Sequence, residues 1–389
     1  MIKNTKEQKL ADFQELFKKE VVPILEKFEH YRIKEYKNIK RTIILITLGI
    51  LVFIYFLIIF PFNKDWVFNY DKINISYIVF PFFLMYLYYP VYIYYDNLKK
   101  KNKNFQTLLK REVFGKILNC IGDIEWFSNE NTDLQDYAAG GENKKFDASG
   151  LFVFYDRRST DDTFTCLVKN VYFTVTETKM YFTLGKNNDN DIKFYIPTFK
   201  GIIIEFESNK KIQNRTIVST KGDLTTKSDI WIVVLIFSIQ GLNTVFTRHG
   251  FSLIGLIIHL IFILGIILIY LKMSKTGEKL EPVMLESPEF NKKFNVYSSD
   301  QVEARYLVTT SFMERFQNLK THFGAKKAKC SFYDGNKIMF AIHTNKDLFE
   351  LGDLYHPLLD SKSHMDLFNT LNSIFDMIEY FKLDEKTGL

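Results

Sequence analysis

Asp300, Gln301, Glu303 and Arg305 crowd one short part of the run VYSSDQVEARYLVTTSFMERFQNL, Val296 to Leu319. Two carboxylates beside an amide and a guanidinium could grip a ligand or a protein partner, or they could hold one fold in place. On a helix, Asp300 and Glu303 lie one turn apart on the same face. Asp300 falls in the first turn, where a carboxylate meets the positive end of the helix dipole. Arg305 sits between Ala304 and Tyr306 in an apolar run, so a partly buried ion pair with a distant carboxylate is expected. The structural role is the plainer of the two.

Two further groups carry polar chemistry. Asp156, Arg157 and Arg158, followed by Asp161 and Asp162, could hold an anion or a cation, although a solvated hairpin tip explains them more simply. Gln240, Asn243 and His259 interrupt apolar blocks. Such residues mark ion or proton paths in a bilayer, or they hydrogen-bond across a helical hairpin. Nucleophile, metal and phosphate-loop signatures are missing: no HExxH, GxSxG, GxGxxG or GxxxxGK[ST] occurs. GDLTTKS lacks the second glycine of a phosphate loop. The 7 histidines show no ligand spacing, and Cys120, Cys166 and Cys330 form no CxxC, which suits reduced thiols. No catalytic residue, metal or cofactor is therefore expected.

The chemistry must be positioned by a chain of 389 residues, enough for two or three structural units. Its net charge of +6 is modest and largely flanks apolar runs, so nucleic acid is not expected as a partner. The block Thr42–Phe62 contains no charge and would span roughly 30 Å as a helix. A second block, Ile75 to Tyr95, is dense in Phe, Tyr and Ile. A third and a fourth, Ile230–Phe246 and Phe251–Leu271, are joined by TRHG. These predict two transmembrane hairpins, with a buried helical hairpin as the alternative for the second. Lysine and arginine cluster before the first block, after the second and after the fourth. That bias places both termini and all sizeable polar segments in the cytoplasm of a multi-pass protein.

Five segments follow. Residues 1–41 form an amphipathic helical arm, with Leu10, Phe13, Phe17, Val21, Ile24, Phe28 and Tyr31 on one stripe and a kink or break at Pro23. It could dock on its own domain, pair with a second copy or lie on lipid. Residues 42–95 are the first hairpin. Residues 96–229 contain a helix and an antiparallel meander with a turn at Lys169-Asn170. Residues 230–271 are the inserted hairpin. Residues 272–389 resume an α+β pattern. Ser298 with Gln301 and Ser311 with Glu314 have capping-box spacing. A hairpin turns at Gly335-Asn336, and a last helix buries Leu367, Leu371, Ile374, Ile378 and Phe381. The expected fold is thus α+β: an integral membrane protein with a cytoplasmic domain of antiparallel sheet plus helices.

The run KLEPVMLESPEFNKKFNVYSSDQVEARYLVTTSFMERF, with FYDRRSTDDTFTCLVKNVYFTVTE and FKGIIIEFESNKKIQNRTIV, resembles a bacterial membrane-protein family known as domain of unknown function 3137. The resemblance implies a membrane anchor and a cytoplasmic α+β domain, and it brings no reaction or catalytic residue. The apolar pair between Ile230 and Leu271 departs from the family pattern and leaves open how the two halves of the domain meet. An AT-rich codon signature (Lys, Asn, Ile, Phe, Tyr) suits a bacterium with an AT-rich genome, and the apolar blocks with their flanking lysines would then place the chain in its inner membrane. The expected function is a membrane-anchored binding or scaffolding protein. Its partners would be the lipid bilayer and either another protein or a second copy. The alternatives are a membrane-bound enzyme with a site assembled from scattered charges, and a transporter accessory subunit.

Overall fold

The computed structural model describes residues 6–59, 75–121, 123–128, 135–136, 144–152, 155–184, 194–223, 280–359 and 361–385, with three isolated helical positions at Ile257, Leu260 and Leu264. Two compact units result: Met1–Gly122 with Leu348–Asn369, and Asp123–Asp347 with Thr370–Leu389.

In the first unit, α1 (Lys6–Leu16) runs through a π-helical turn (Phe17–Val21) into α2 (Val22–Ile59). Pro23 explains the wide turn. It offers no N–H to the carbonyl four residues back, and its ring crowds that carbonyl. The chain relaxes by letting the Val22 N–H reach the Phe17 carbonyl five residues back. The helix therefore continues through Pro23 instead of dividing. The long α3 (Ile75–Ile121) returns antiparallel to α2, with ion pairs Lys101–Glu35 and Lys116–Glu20 fixing the register. The predicted arm stripe docks within this unit. Phe13 and Val21 of the stripe are buried, Leu25 is buried in place of the expected Ile24, and Phe105, Leu109, Val113 and Phe114 of α3 are buried too. Tyr31, expected on the same stripe, is 46% exposed, because the wide turn rotates the following residues. An irregular strap, residues 348–359, is tied to the helices through Lys110–Glu350 and through the Leu354 N–H on Asn102 Oδ1.

The second unit is an antiparallel sheet with helices. Its strands are β1 (Glu125–Ser128), β2 (Gln135–Asp136), β3 (Arg157–Val168), β4 (Val171–Leu184), β5 (Phe194–Ile212), β6 (Thr216–Thr220), β7 (Glu281–Pro282), β8 (Phe294–Ser298), β9 (Lys327–Tyr333) and β10 (Gly335–His343). Among the described residues they form one sheet in the order β1-β3-β4-β5-β10-β9-β6-β8-β7, with β2 also on β3. Strands on both sides of residues 230–271 therefore interleave, β6 lying between β9 and β8. The expected β3–β4 turn is present: Val168 pairs with Val171, and Lys169 and Asn170 both take positive φ.

Alternation along the strands supplies one apolar face. Phe173, Phe206, Phe340 and Phe332 lie there. Phe332 and Phe340 meet Phe312 and Phe316 of α7 (Thr310–His322) and Phe381 just past α8 (Ser361–Tyr380), with ring centroids 5.0–6.3 Å apart. The opposite face is covered by α4 (Lys144–Ser149), whose Phe146 packs with Leu151, Met180, Ile203, Ile217 and Met339. Two short helices, α5 (Pro288–Lys293) and α6 (Gln301–Leu307), flank β8.

The transmembrane part of the expected fold is overturned. Among the described residues, no helix is long and apolar enough to cross a membrane. The first two apolar blocks do not stand as separate spans. As far as Ile59 the first is part of α2, and the second is part of α3; both helices also carry lysine, glutamate and arginine stretches. The block 230–246 and most of 251–271 lie outside the described residues, as do Gln240, Asn243 and His259.

Candidate functional site

The charges of the opening motif are placed by α6. Asp300 is its N-cap, and one carboxylate oxygen accepts from the N–H groups of Val302 and Glu303 at 2.7 and 3.0 Å. Ser298, the expected cap, is the last residue of β8, where its hydroxyl bonds Thr216 and the Arg215 carbonyl. Ser311 is displaced in the same way: Thr309 Oγ1 accepts from Phe312 N and caps α7. Glu303 spreads its two oxygens over the N–H groups of Gln213 and Asn214 at 2.7 and 2.8 Å. The carboxylate thus clamps the β5–β6 turn. Gln301 donates to the Pro282 carbonyl. Among the described residues, Arg305 forms no buried ion pair. Its side chain is exposed and donates to the Gln301 carbonyl of its own helix at 3.1 Å.

These contacts rank the substitutions. Glu303→Ala should cost about 1.5–3 kcal/mol, because two charge-assisted bonds to a turn are lost together. Asp300→Ala should cost about 1 kcal/mol through the cap, and Arg305→Met at most about 0.5 kcal/mol. Urea melts of the three variants would check this order, and a large loss from Arg305→Met alone would contradict it.

The second cluster is dispersed by strand alternation. Arg157 and Arg158 open β3, paired with Tyr181 and Met180, and are not at a solvated hairpin tip. The Arg157 guanidinium lies 5.1 Å from the Tyr195 ring centroid and donates to its hydroxyl. Arg158 is buried, 4.6 Å over the Phe146 ring. Neighbouring strand residues face opposite sides of a sheet, so the two guanidiniums cannot converge on one ligand. Asp156 donates its backbone N–H to Tyr181. Asp161 and Asp162 form a bulge, and the buried Asp162 accepts from the Trp126 indole at 2.9 Å.

A recess in the first unit, bounded by Phe13, Gln14, Phe17, His364 and Met365, encloses only about 160 Å³. Small-molecule sites usually need roughly 300–1,000 Å³. The His364 ring meets Phe17 at a tilt, centroids 5.0 Å apart, and bonds the Leu358 carbonyl. The groups with shifted protonation do not gather in a cleft either. Burial is the leading cause of the raised Tyr333 phenol, the raised Cys330 thiol and the lowered His343 imidazole.

What sequence spacing did not reveal is a cationic rim on the sheet of the second unit. Lys200 of β5 lies beside the end of β10, where the Thr344 N–H donates to the Lys200 carbonyl and Lys346 follows. His343 pairs with Lys327 of β9, and the Lys326 N–H donates to the His343 carbonyl. The Lys221 N–H, just past β6, donates to the Lys293 carbonyl, just before β8. Five adjacent strands thus bring lysines to one rim over roughly 19 Å, at about 4.8 Å per strand. Lys221, Lys293, Lys326 and Lys346 are exposed. The Lys200 and Lys293 ammonium groups donate to the Asn345 carbonyl and the Gln317 side chain. Asp223 lies 3.3 Å from Lys329 and 4.0 Å from Lys327, and Asp347 follows Lys346. Among the described residues, the side chains of Lys221, Lys326 and Lys346 meet no carboxylate. The sequence signal is a lysine just outside one end of successive strands, invisible until their order is known.

The chain is a two-unit α+β protein, with a broad antiparallel sheet bearing a basic rim. Residues 197–383, from β5 to just beyond α8, match the family described as "Protein of unknown function (DUF3137)", and this part of the chain belongs to that family. No curated protein and no solved structure matches the chain.

Proposed function

We propose that this protein is a non-catalytic binding or scaffolding module whose partner docks on the cationic rim. The rim itself carries the reading. Like charges held one strand apart repel, so their gathering weakens the free fold unless something anionic joins them. Asp300, Glu303, Arg157, Arg158 and Asp162 are engaged in a cap, a turn clamp, ring contacts and an indole bond, where they shape the fold. A second copy would present the same positive rim, so charge complementarity favours a different partner over self-association.

A photoreactive residue placed at Lys326 in the full chain, in its native cells, should give a discrete adduct on illumination. The same probe at Lys211, exposed elsewhere on β5, should not. Equal labelling at both positions, or none at Lys326, would count against the rim as the contact surface.

A further inference from the structure

We infer that the lysine rim binds a ligand displaying several phosphate groups. The inference rests on the binding-module reading and specifies its chemistry. The six rim cations, Lys200, Lys221, Lys293, Lys326, Lys327 and Lys346, are all ammonium groups. An ammonium is a compact point charge with three rotatable donors, suited to the oxygens of a phosphate. A guanidinium fork binds carboxylate and phosphate alike in one fixed plane, whereas an ammonium meets phosphate oxygens as a point charge from any direction. The row extends over five strands, further than one phosphate reaches, so several anionic groups in line are needed to engage it. Lys327 is already turned toward the Gly222 carbonyl at 2.7 Å, and Lys329 toward the Leu151 carbonyl at 3.3 Å, with Asp223 beside both. Those two lysines brace the loop after β6. Lys221, Lys326 and Lys346 stand outside that brace and supply the open part of the row. His343, half-buried between Lys327 and the Phe199 ring, offers a weak base and no extra positive charge near neutrality. Stacking platforms typical of single-strand nucleic-acid sites are not found on the rim among the described residues. The ligand's phosphates are therefore the feature that is read.

The test uses the intact protein, with inorganic tripolyphosphate as the probe in titration calorimetry at low salt. Replacing Lys221, Lys326 and Lys346 together by Gln should weaken binding about tenfold or more, since three exposed charge contacts are lost at once. The same charge change at Lys169, Lys211 and Lys382, exposed at the opposite end of the same sheet, should leave affinity within about twofold. Vesicles containing phosphatidylglycerol, against phosphatidylcholine alone, separate the two sources of the chemistry. Rim-dependent binding to tripolyphosphate alone assigns a soluble ligand, and rim-dependent binding to the anionic vesicles assigns a displayed headgroup. Equal loss in the control variant means diffuse charge attraction and overturns the inference. So does a single-stranded oligonucleotide that binds tightly without competition from tripolyphosphate. If no phosphate probe binds while the Lys326 photo-adduct persists, the phosphate chemistry fails and the binding-module reading stands. If both are lost, both fail.

Discussion

Gly201→Ala is expected to prevent the second unit from folding. Gly201 sits inside the sheet, paired with Thr178 of β4 on one side and His343 of β10 on the other. A Cβ at this position would lie 2.0 Å from the Ile342 carbonyl oxygen and 3.0 Å from the Thr344 nitrogen. Both are backbone atoms held by their own ladder, so neither can rotate aside as a side chain would. The backbone φ of +155° adds a conformation that side chains rarely adopt. Either the β5–β10 ladder opens, or the new methyl is forced into a carbonyl. The loss should exceed about 4 kcal/mol, the range reserved for core disruption and backbone strain. Cys330 reports it directly. Its thiol is fully buried on β9, next to β10, and burial pushes its pKa well up, so it should resist thiol reagents in the native protein. Rapid labelling of Cys330 in the variant is the expected result. A variant that melts like the parent with Cys330 still protected would show that the strand pair can absorb a methyl group.

In the first unit, Glu29→Gln should produce the largest loss, about 3–5 kcal/mol, as a mostly buried cation loses its partner. The Glu29 carboxylate accepts from Arg32 Nε at 2.8 Å and Nη2 at 2.6 Å, and from the Leu358 N–H at 3.0 Å. One side chain therefore joins α2 to the 348–359 strap and neutralises Arg32, which is only 7% exposed. The Arg32 hydrogen bond is the main reason that the Glu29 carboxyl is held below its ordinary value of 4.5. The sign follows from linkage. A depressed folded-state pKa means that the stabilisation is complete above the unfolded value and is lost as pH falls through the folded one. Parent and variant should thus differ most near neutrality and converge in acid. Thermal melts at a series of pH values would show this, with proteolysis of the strap as a local readout. A gap that stays constant down to pH 3 would mean that Glu29 acts through packing and not through its charge.

Much of the local structure is legible in the sequence because its causes are local. Asn170, which tolerates positive φ, makes the β3–β4 turn and carries Lys169 into the same region. Asp334 and Gly335 do the same between β9 and β10, one residue earlier than the Gly335-Asn336 pair suggested. The stripe Leu367, Leu371, Ile374 and Ile378 makes α8 and is buried as its spacing required. Other local signals were overruled by partners far along the chain. Ser298 has the chemistry of a cap, yet pairing with Thr216 makes it part of a strand, and Asp300 takes its role. Arg305 stands in an apolar run, yet the helix turns it outward. Glu303 finds its amides about 90 residues away. The apolar blocks at 42–62 and 75–95 read as separate spans, but helix continuity merges them with charged neighbours in α2 and α3.

The lysine rim makes the division clearest. Each lysine alone is an ordinary polar residue at the end of a strand, separated from the others by as much as 146 positions, Lys200 to Lys346. Composition, period and turn chemistry determine that these strands exist and where they stop. Only the order β5-β10-β9-β6-β8 brings the ends side by side. That order is set by which apolar faces bury one another and by long-range backbone hydrogen bonds. Neither is encoded in the spacing of residues along the chain.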